Sequence, residues 1–161
     1  MIEKERIEKW LLEEDLLREM KYDENADYHF IIEFPKENIM DVVKPKDKDC
    51  IVVACATQVS PEHANLMIPA DSYTKKDFIL DVNFGLNSFL VDYELKINNE
   101  VLQQFIISDQ IFEDGLNKDT FIRALKRVFK SKLHCIWLID KKFGNVPSSQ
   151  MNASNQNDMF I

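Results

Sequence analysis

Three groups of residues in this 161-residue chain have side chains suited to chemistry. The first is the polar block Thr57-Gln58-Val59-Ser60-Pro61-Glu62-His63, which follows an apolar run. Ser60 before Pro61 reads as a helix N-cap with proline at the first helical position. Free N–H groups at such a start can receive an anion, with Thr57, Gln58, Ser60 and His63 around it, although plain capping requires the same residues. The second group is Asp109, Glu113 and Asp114 near the expected end of a strand, where carboxylates could hold a cation or move protons. They lack the ligand spacing and turn glycine of a calcium loop, so a solvated loop is expected.

The third group comprises His29, His63 and His134 with Cys50, Cys55 and Cys135. Their spacings match no ligand pattern, so no metal site is expected. An odd number of cysteines set in runs such as Cys50-Ile51-Val52-Val53-Ala54-Cys55 points to buried, reduced thiols that act as small hydrophobes. Nothing here assembles into a nucleophile, a phosphate loop or a metal cage, so no catalytic residue and no cofactor is expected. An enzyme would need a pocket uniting Asp109, Glu113, His29 or Thr57.

With chemistry undirected, the surfaces become informative. Net charge is −8, but residues 1–117 hold 12 Lys and Arg against 25 Asp and Glu, whereas 118–161 hold 8 against 3. Such polarity can steer an anionic partner or join unlike faces of two subunits. The basic excess lies on a long helix expected from Lys118 to Phe143. Phe121, Leu125, Phe129, Ile136, Ile139 and Phe143 share one face, while Arg123, Lys126, Arg127, Lys130, His134 and Lys141 share the other. Arg123, Lys126, Arg127 and Lys130 could meet phosphates. A pI near 4.9 and the lack of aromatics interleaved on that face argue against nucleic acid as the main partner.

The elements that must position these groups follow from periodicity. A helix covers roughly 3–14, and Leu16-Leu17 reads as a turn back onto the core. Strands follow at 27–34, 39–44 and 50–59, the last apolar on both faces as in a covered sheet. A short helix from Ser60 stops by Pro69. The next helix, from near Ser72 to about Leu90, has its main stripe at Phe78, Ile79, Val82, Leu86 and Phe89. Leu80 and Phe84 lie on nearly the opposite side, and a helix apolar on two sides must be covered on two sides, by this chain or another subunit. A hairpin at 91–97 and 101–108 turns at Asn98-Asn99. The expected fold class is α+β in the order αβββαββα, a five-stranded, mainly antiparallel sheet packed by helices.

At this length one domain over 1–144 is expected. Residues 145–161, rich in Asn, Gln and Ser, have the composition of a disordered tail. Its apolar tip, Met159, Phe160 and Ile161, reads either as a docking motif or as a frayed end. The start Met1-Ile2-Glu3-Lys4-Glu5-Arg6 has no secretory pattern and no run suits a membrane span, so a cytoplasmic protein with no membrane contact is expected.

The blocks Glu24-Asn25-Ala26-Asp27-Tyr28-His29-Phe30, Ala56 to His63, Ser108-Asp109-Gln110-Ile111-Phe112-Glu113-Asp114-Gly115-Leu116 and Arg123-Ala124-Leu125-Lys126-Arg127-Val128-Phe129-Lys130 resemble an uncharacterised archaeal family, domain of unknown function 2299. The likeness covers about residues 1–144. The order of elements is also similar to the type III secretion chaperone fold. That resemblance implies a small acidic homodimer holding segments of other proteins against apolar grooves, often pairing through its middle helix, a use that Leu80 and Phe84 suit. The expected function is therefore a non-enzymatic protein- or peptide-binding module, a homodimer, with a nucleic-acid accessory protein using the basic helix as the alternative.

Overall fold

The computed structural model describes residues 1–144, so the apolar tip Met159, Phe160 and Ile161 lies outside the described residues. The elements are α1 (Lys4–Glu13), β1 (Leu17–Met20), β2 (Ala26–Glu33), β3 (Ile39–Pro45), β4 (Cys50–Gln58), α2 (Pro61–Met67), α3 (Ser72–Ser88), β5 (Asp92–Asn98), β6 (Val101–Phe112), a single 3-10 turn (Glu113–Gly115) and α4 (Lys118–Phe143). One antiparallel sheet holds the strands in the order β1-β2-β3-β4-β6-β5. The α+β class is as expected. Residues fall into two compact units, one of 1–55 with 108–129, the other of 56–107 with the described residues from 130 on, so β4, β6 and α4 contribute to both.

In the first unit, β2 pairs with β3 through Phe30↔Val42 and Ile32↔Met40, and β3 pairs with β4 through Val42↔Val53. The alternation in β2 puts Phe30 and Ile32 inside with Met40, Val42, Ile51 and Val53, all fully buried. Ile7 and Leu11 of α1 and Phe121, Leu125 and Phe129 of α4 are buried with them. Each such side chain stabilises by roughly 1.5–3 kcal/mol relative to exposure.

The sheet has six strands, not the expected five. After α1 the chain reverses at Asp15 (φ 54°), where the Leu16 amide donates to the Leu11 carbonyl and the Glu33 amide to the Leu16 carbonyl. Leu17–Met20 then pairs with β2, with a register shift between Leu17 and Glu19. Only Leu17 is even half-buried there, so the strand has no alternation to reveal it. Its existence comes from pairing, not from side-chain pattern.

In the second unit, Phe78, Val82 and Leu86 of α3 are buried with Met67, Leu102, Phe105, Leu133, Cys135 and Ile139. The hairpin turn lies one residue beyond its expected place: Asn99 (φ 50°) and Glu100 (φ 65°) take the left-handed conformation that a two-residue turn between twisted strands needs. Glu100 tolerates it while its carboxylate accepts from Ser72 Oγ at 2.8 Å and pairs with Lys76 at 3.5 Å. β6 runs four residues past the expected Ser108, to Phe112. Asp109 is therefore a strand residue, and Glu113 and Asp114 sit in the 3-10 turn rather than an open loop.

Candidate functional site

α3 begins where Asp71 accepts the Thr74 amide at 2.8 Å and the Thr74 hydroxyl at 3.0 Å. Seventeen residues follow with two apolar sides. Phe78, Val82 and Leu86 recur every four residues and are buried. Tyr73, Leu80 and Phe84, at helical spacing on the other side, are 79%, 51% and 66% exposed. The expectation that Leu80 and Phe84 form a separate face therefore fits the fold, and within the described residues this chain leaves that face uncovered. Trp137 of α4, 49% exposed, adds a third large aromatic to the surface of the same unit.

Close packing holds α3 against α4. Phe78 meets Phe143 edge-on at 5.1 Å between ring centroids, and Lys142 reaches Asp77 at 2.7 Å and Asp81 at 3.0 Å. These two carboxylates raise the Lys142 pKa through their hydrogen bonds. At Gly85 the missing side chain makes a notch: a Cβ there would lie 1.8 Å from His134 Nε2. The imidazole also packs on Phe89, with centroids 5.6 Å apart. His134 is thus no part of an open basic face, because the glycine admits its ring between the helices.

His134 Nε2 is buried without a hydrogen-bond partner among the described residues. Burial lowers the His134 pKa, with the Asp81 charge acting weakly the other way. The folded state therefore binds this proton less readily than the unfolded chain. The native advantage is complete above the unfolded value and declines as pH falls through it toward the lower folded value. We expect His134→Ala to flatten the fall in unfolding free energy between about pH 7 and 5, measured by urea titration at each pH. An unchanged slope would show that His134 binds its proton equally well in the folded and unfolded chains.

The helix-start group comes together around α2. Ser60 Oγ accepts the His63 amide at 3.2 Å and lies 2.9 Å from His63 Nδ1, while His63 Nε2 lies 3.2 Å from Asp140 Oδ1. A hydroxyl that donates to Nδ1 leaves Nε2–H to donate to the carboxylate; His63 stands where a capping box has Glu or Gln, but meets the Ser60 hydroxyl rather than its backbone N–H. Thr57, Gln58, Ser60 and His63 line a cavity of about 190 Å³ with Phe105 and Lys132. Pro61 has no N–H, the His63 amide goes to Ser60 Oγ and the Ala64 amide to the Ser60 carbonyl. The start of α2 is engaged in its own capping, and Asp140 places a negative charge beside it.

The basic face of α4 is balanced locally. Arg127 binds Asp109 at 2.6 Å and Arg123 binds Asp119 at 2.8 Å. Lys126 and Lys130 are exposed at the spacing that places them beside the two arginines, and Lys130 also has interactions within the chain. Asp109, read from sequence as a solvated carboxylate, is largely buried under Arg127. Glu113 accepts two hydrogen bonds from the Met1 ammonium at 2.8 and 2.9 Å, which lowers its pKa. The neighbouring Asp49 is raised by its hydrogen bond to Glu113.

Sequence reasoning missed the setting of His29. Its Nδ1 lies 3.0 Å from Asp23 Oδ2 and its Nε2 2.6 Å from Asp41 Oδ1. Asp23 is held below the usual carboxylate range first by the Asn25 amide and then by His29. The clasp ties the turn before β2 to the neighbouring strand β3. Its signal was faint, since Asp23 and Asp41 sit six and twelve residues either side of His29 and only strand pairing brings them together. The residues an enzyme reading would unite have separate partners: His29 has Asp23 and Asp41, Asp109 has Arg127, and Glu113 has Met1. Thr57 lies in the cavity beside α2. Among the described residues no three His, Cys, Asp or Glu side chains group to hold a metal ion, and no helix is long and apolar enough to cross a membrane. Cys50, Cys55 and Cys135 are buried and form no disulfide among the described residues, and burial pushes the Cys135 thiol up to about 12.

A family model described as an uncharacterized conserved protein (DUF2299) matches residues 3–139. The crystal structure of an uncharacterized protein from Methanothermobacter thermautotrophicus is similar, with 42% identity, 88% of this chain and 99% of that chain covered, and a TM-score of 0.85. YbjN from E. coli is 12% identical over 78% of this chain and 84% of its own, with a TM-score of 0.46. No curated protein matches the chain.

Proposed function

This chain belongs to the DUF2299 family, and we propose that it is a non-enzymatic protein- or peptide-binding module, working as a cytoplasmic homodimer. The observation that carries this reading is the exposed stripe of Tyr73, Leu80 and Phe84 on a helix whose opposite side is already buried. Large apolar side chains aligned on one helix face resemble the surfaces that take up segments of other proteins. The order of elements, with a leading helix, a middle helical pair and a long final helix, is in keeping with a type III secretion chaperone-like architecture. Three buried cysteines with no disulfide among the described residues accord with a reducing compartment.

Leu80→Asp with Phe84→Asp tests the proposal. Because both positions are exposed, the double variant should unfold within about 0.5 kcal/mol of the native chain. It should nonetheless lose the partner recovered by affinity capture from native lysate, an effect of at least about 2 kcal/mol for a central apolar anchor. Equal recovery by both chains, with equal stability, would refute the α3 stripe as the binding surface. The alternative, a nucleic-acid role for the α4 face, is weakened by the carboxylates on Arg123 and Arg127.

A further inference from the structure

A sheet of this kind ends in two edges, β1 and β5, and they differ. β1 has four residues and a register shift, two features that discourage pairing with another strand. β5 has seven residues, Asp92-Tyr93-Glu94-Leu95-Lys96-Ile97-Asn98, with no proline and no residue of positive φ. Among the described residues, its outer backbone N–H and C=O groups have no further strand beside them in the sheet order. Tyr93, Leu95 and Ile97 share one face, where Tyr93 is anchored by its hydroxyl donating to Asn83 Oδ1 at 2.9 Å, and Ile97 remains 45% exposed. Asp92, Glu94 and Lys96 share the other face and are all exposed.

The occupant follows from the order of these charges. Two copies of β5 placed antiparallel about a two-fold axis perpendicular to the sheet must pair residues of like facing, so the registers move in steps of two. Centring on Glu94 sets that carboxylate against its own copy between two Asp92–Lys96 pairs, and centring on Lys96 sets two ammonium groups against each other. Like charges directly opposite destabilise a strand pair. Centring on Leu95 sets Glu94 opposite Lys96 of the second copy, twice by symmetry, with Tyr93 opposite Ile97 and Leu95 opposite Leu95. That register also matches all seven residues. Charged residues on an edge ordinarily block casual pairing; in this order the Leu95-centred register is the one of the three that opposes no like charges.

We propose that β5 is the homodimer interface, pairing antiparallel with β5 of a second copy in the register centred on Leu95. This rests on the homodimer reading above and deepens it by moving self-association to the sheet edge. The α3 stripe then stays available to a different protein.

Sedimentation of the full chain at tens of micromolar tests the proposal through charge. Glu94→Lys alone and Lys96→Glu alone each place like charges at both cross-strand positions and should weaken self-association on the order of tenfold or more. An equimolar mixture of the two variants restores opposite charges at both positions, so a mixed dimer of one of each should form. The double variant Glu94→Lys with Lys96→Glu should again dimerise with itself. All positions changed are exposed, and circular dichroism of each variant should match the native chain. A native dimer indifferent to these charges but dispersed by Leu80→Asp with Phe84→Asp would overturn the β5 interface and leave the homodimer standing on α3. A native chain that is monomeric at these concentrations would overturn both.

Discussion

Gly85→Ala should destabilise the native chain and stabilise a chain that already carries His134→Ala. Two opposed effects decide the sign. Alanine in place of glycine inside a helix gains about 1 kcal/mol. Against it, the new Cβ would lie 1.8, 2.4 and 2.8 Å from three atoms of the His134 ring, which is held on its other side by Phe89. Forcing such overlap typically costs 1–3 kcal/mol and at times more. The clash outweighs the gain, so a net loss of about 2 kcal/mol is expected, or several degrees in Tm for a chain of this size. With His134 shortened the obstacle is gone and the gain of about 1 kcal/mol should show. The coupling, about 3 kcal/mol, far exceeds what separate sites display. Chemical denaturation of the four chains of this double-mutant cycle measures it. A Gly85→Ala that stabilises the native chain would mean that α3 and α4 do not approach through this notch.

Phe78→Ala and Phe84→Ala, six residues apart on α3, should have opposite profiles. Phe78 is 1% exposed and packs edge-on against Phe143, so its truncation leaves a cavity and should cost about 3–5 kcal/mol. Phe84 is 66% exposed, and its truncation should change stability by less than about 0.5 kcal/mol. Under the proposed function, Phe84→Ala should weaken partner capture, while Phe78→Ala should be felt first as lower stability. Equal losses of stability at the two positions would show that Phe84 is covered within the folded chain, which removes the basis for a binding stripe.

The same helix shows how far the sequence could be read. The spacing set Phe78, Val82 and Leu86, which are buried, apart from Leu80 and Phe84, which are exposed, because a helix maps sequence position onto angle directly, while Ile79 and Phe89 of the same stripe are half-buried. The alternation in β2 and the Ser60-Pro61 start of α2 were legible for the same reason, each being a local rule. β1 was not, since an edge strand with one half-buried residue leaves no period to detect. Nor were the partners of charged side chains. Arg127 is eighteen residues from Asp109, and Asp140 is seventy-seven from His63.

What the residues determine alone is the elements that carry a period of their own and the side of each that is apolar. Tertiary structure decided the rest. It set the strand order that leaves β5 at an edge, it gave His134 a place in the Gly85 notch against its own polar pattern, and it matched the arginines of α4 with carboxylates. The reason is physical: periodicity is fixed by backbone geometry within a few residues, whereas edges, notches and ion pairs arise only when distant segments meet.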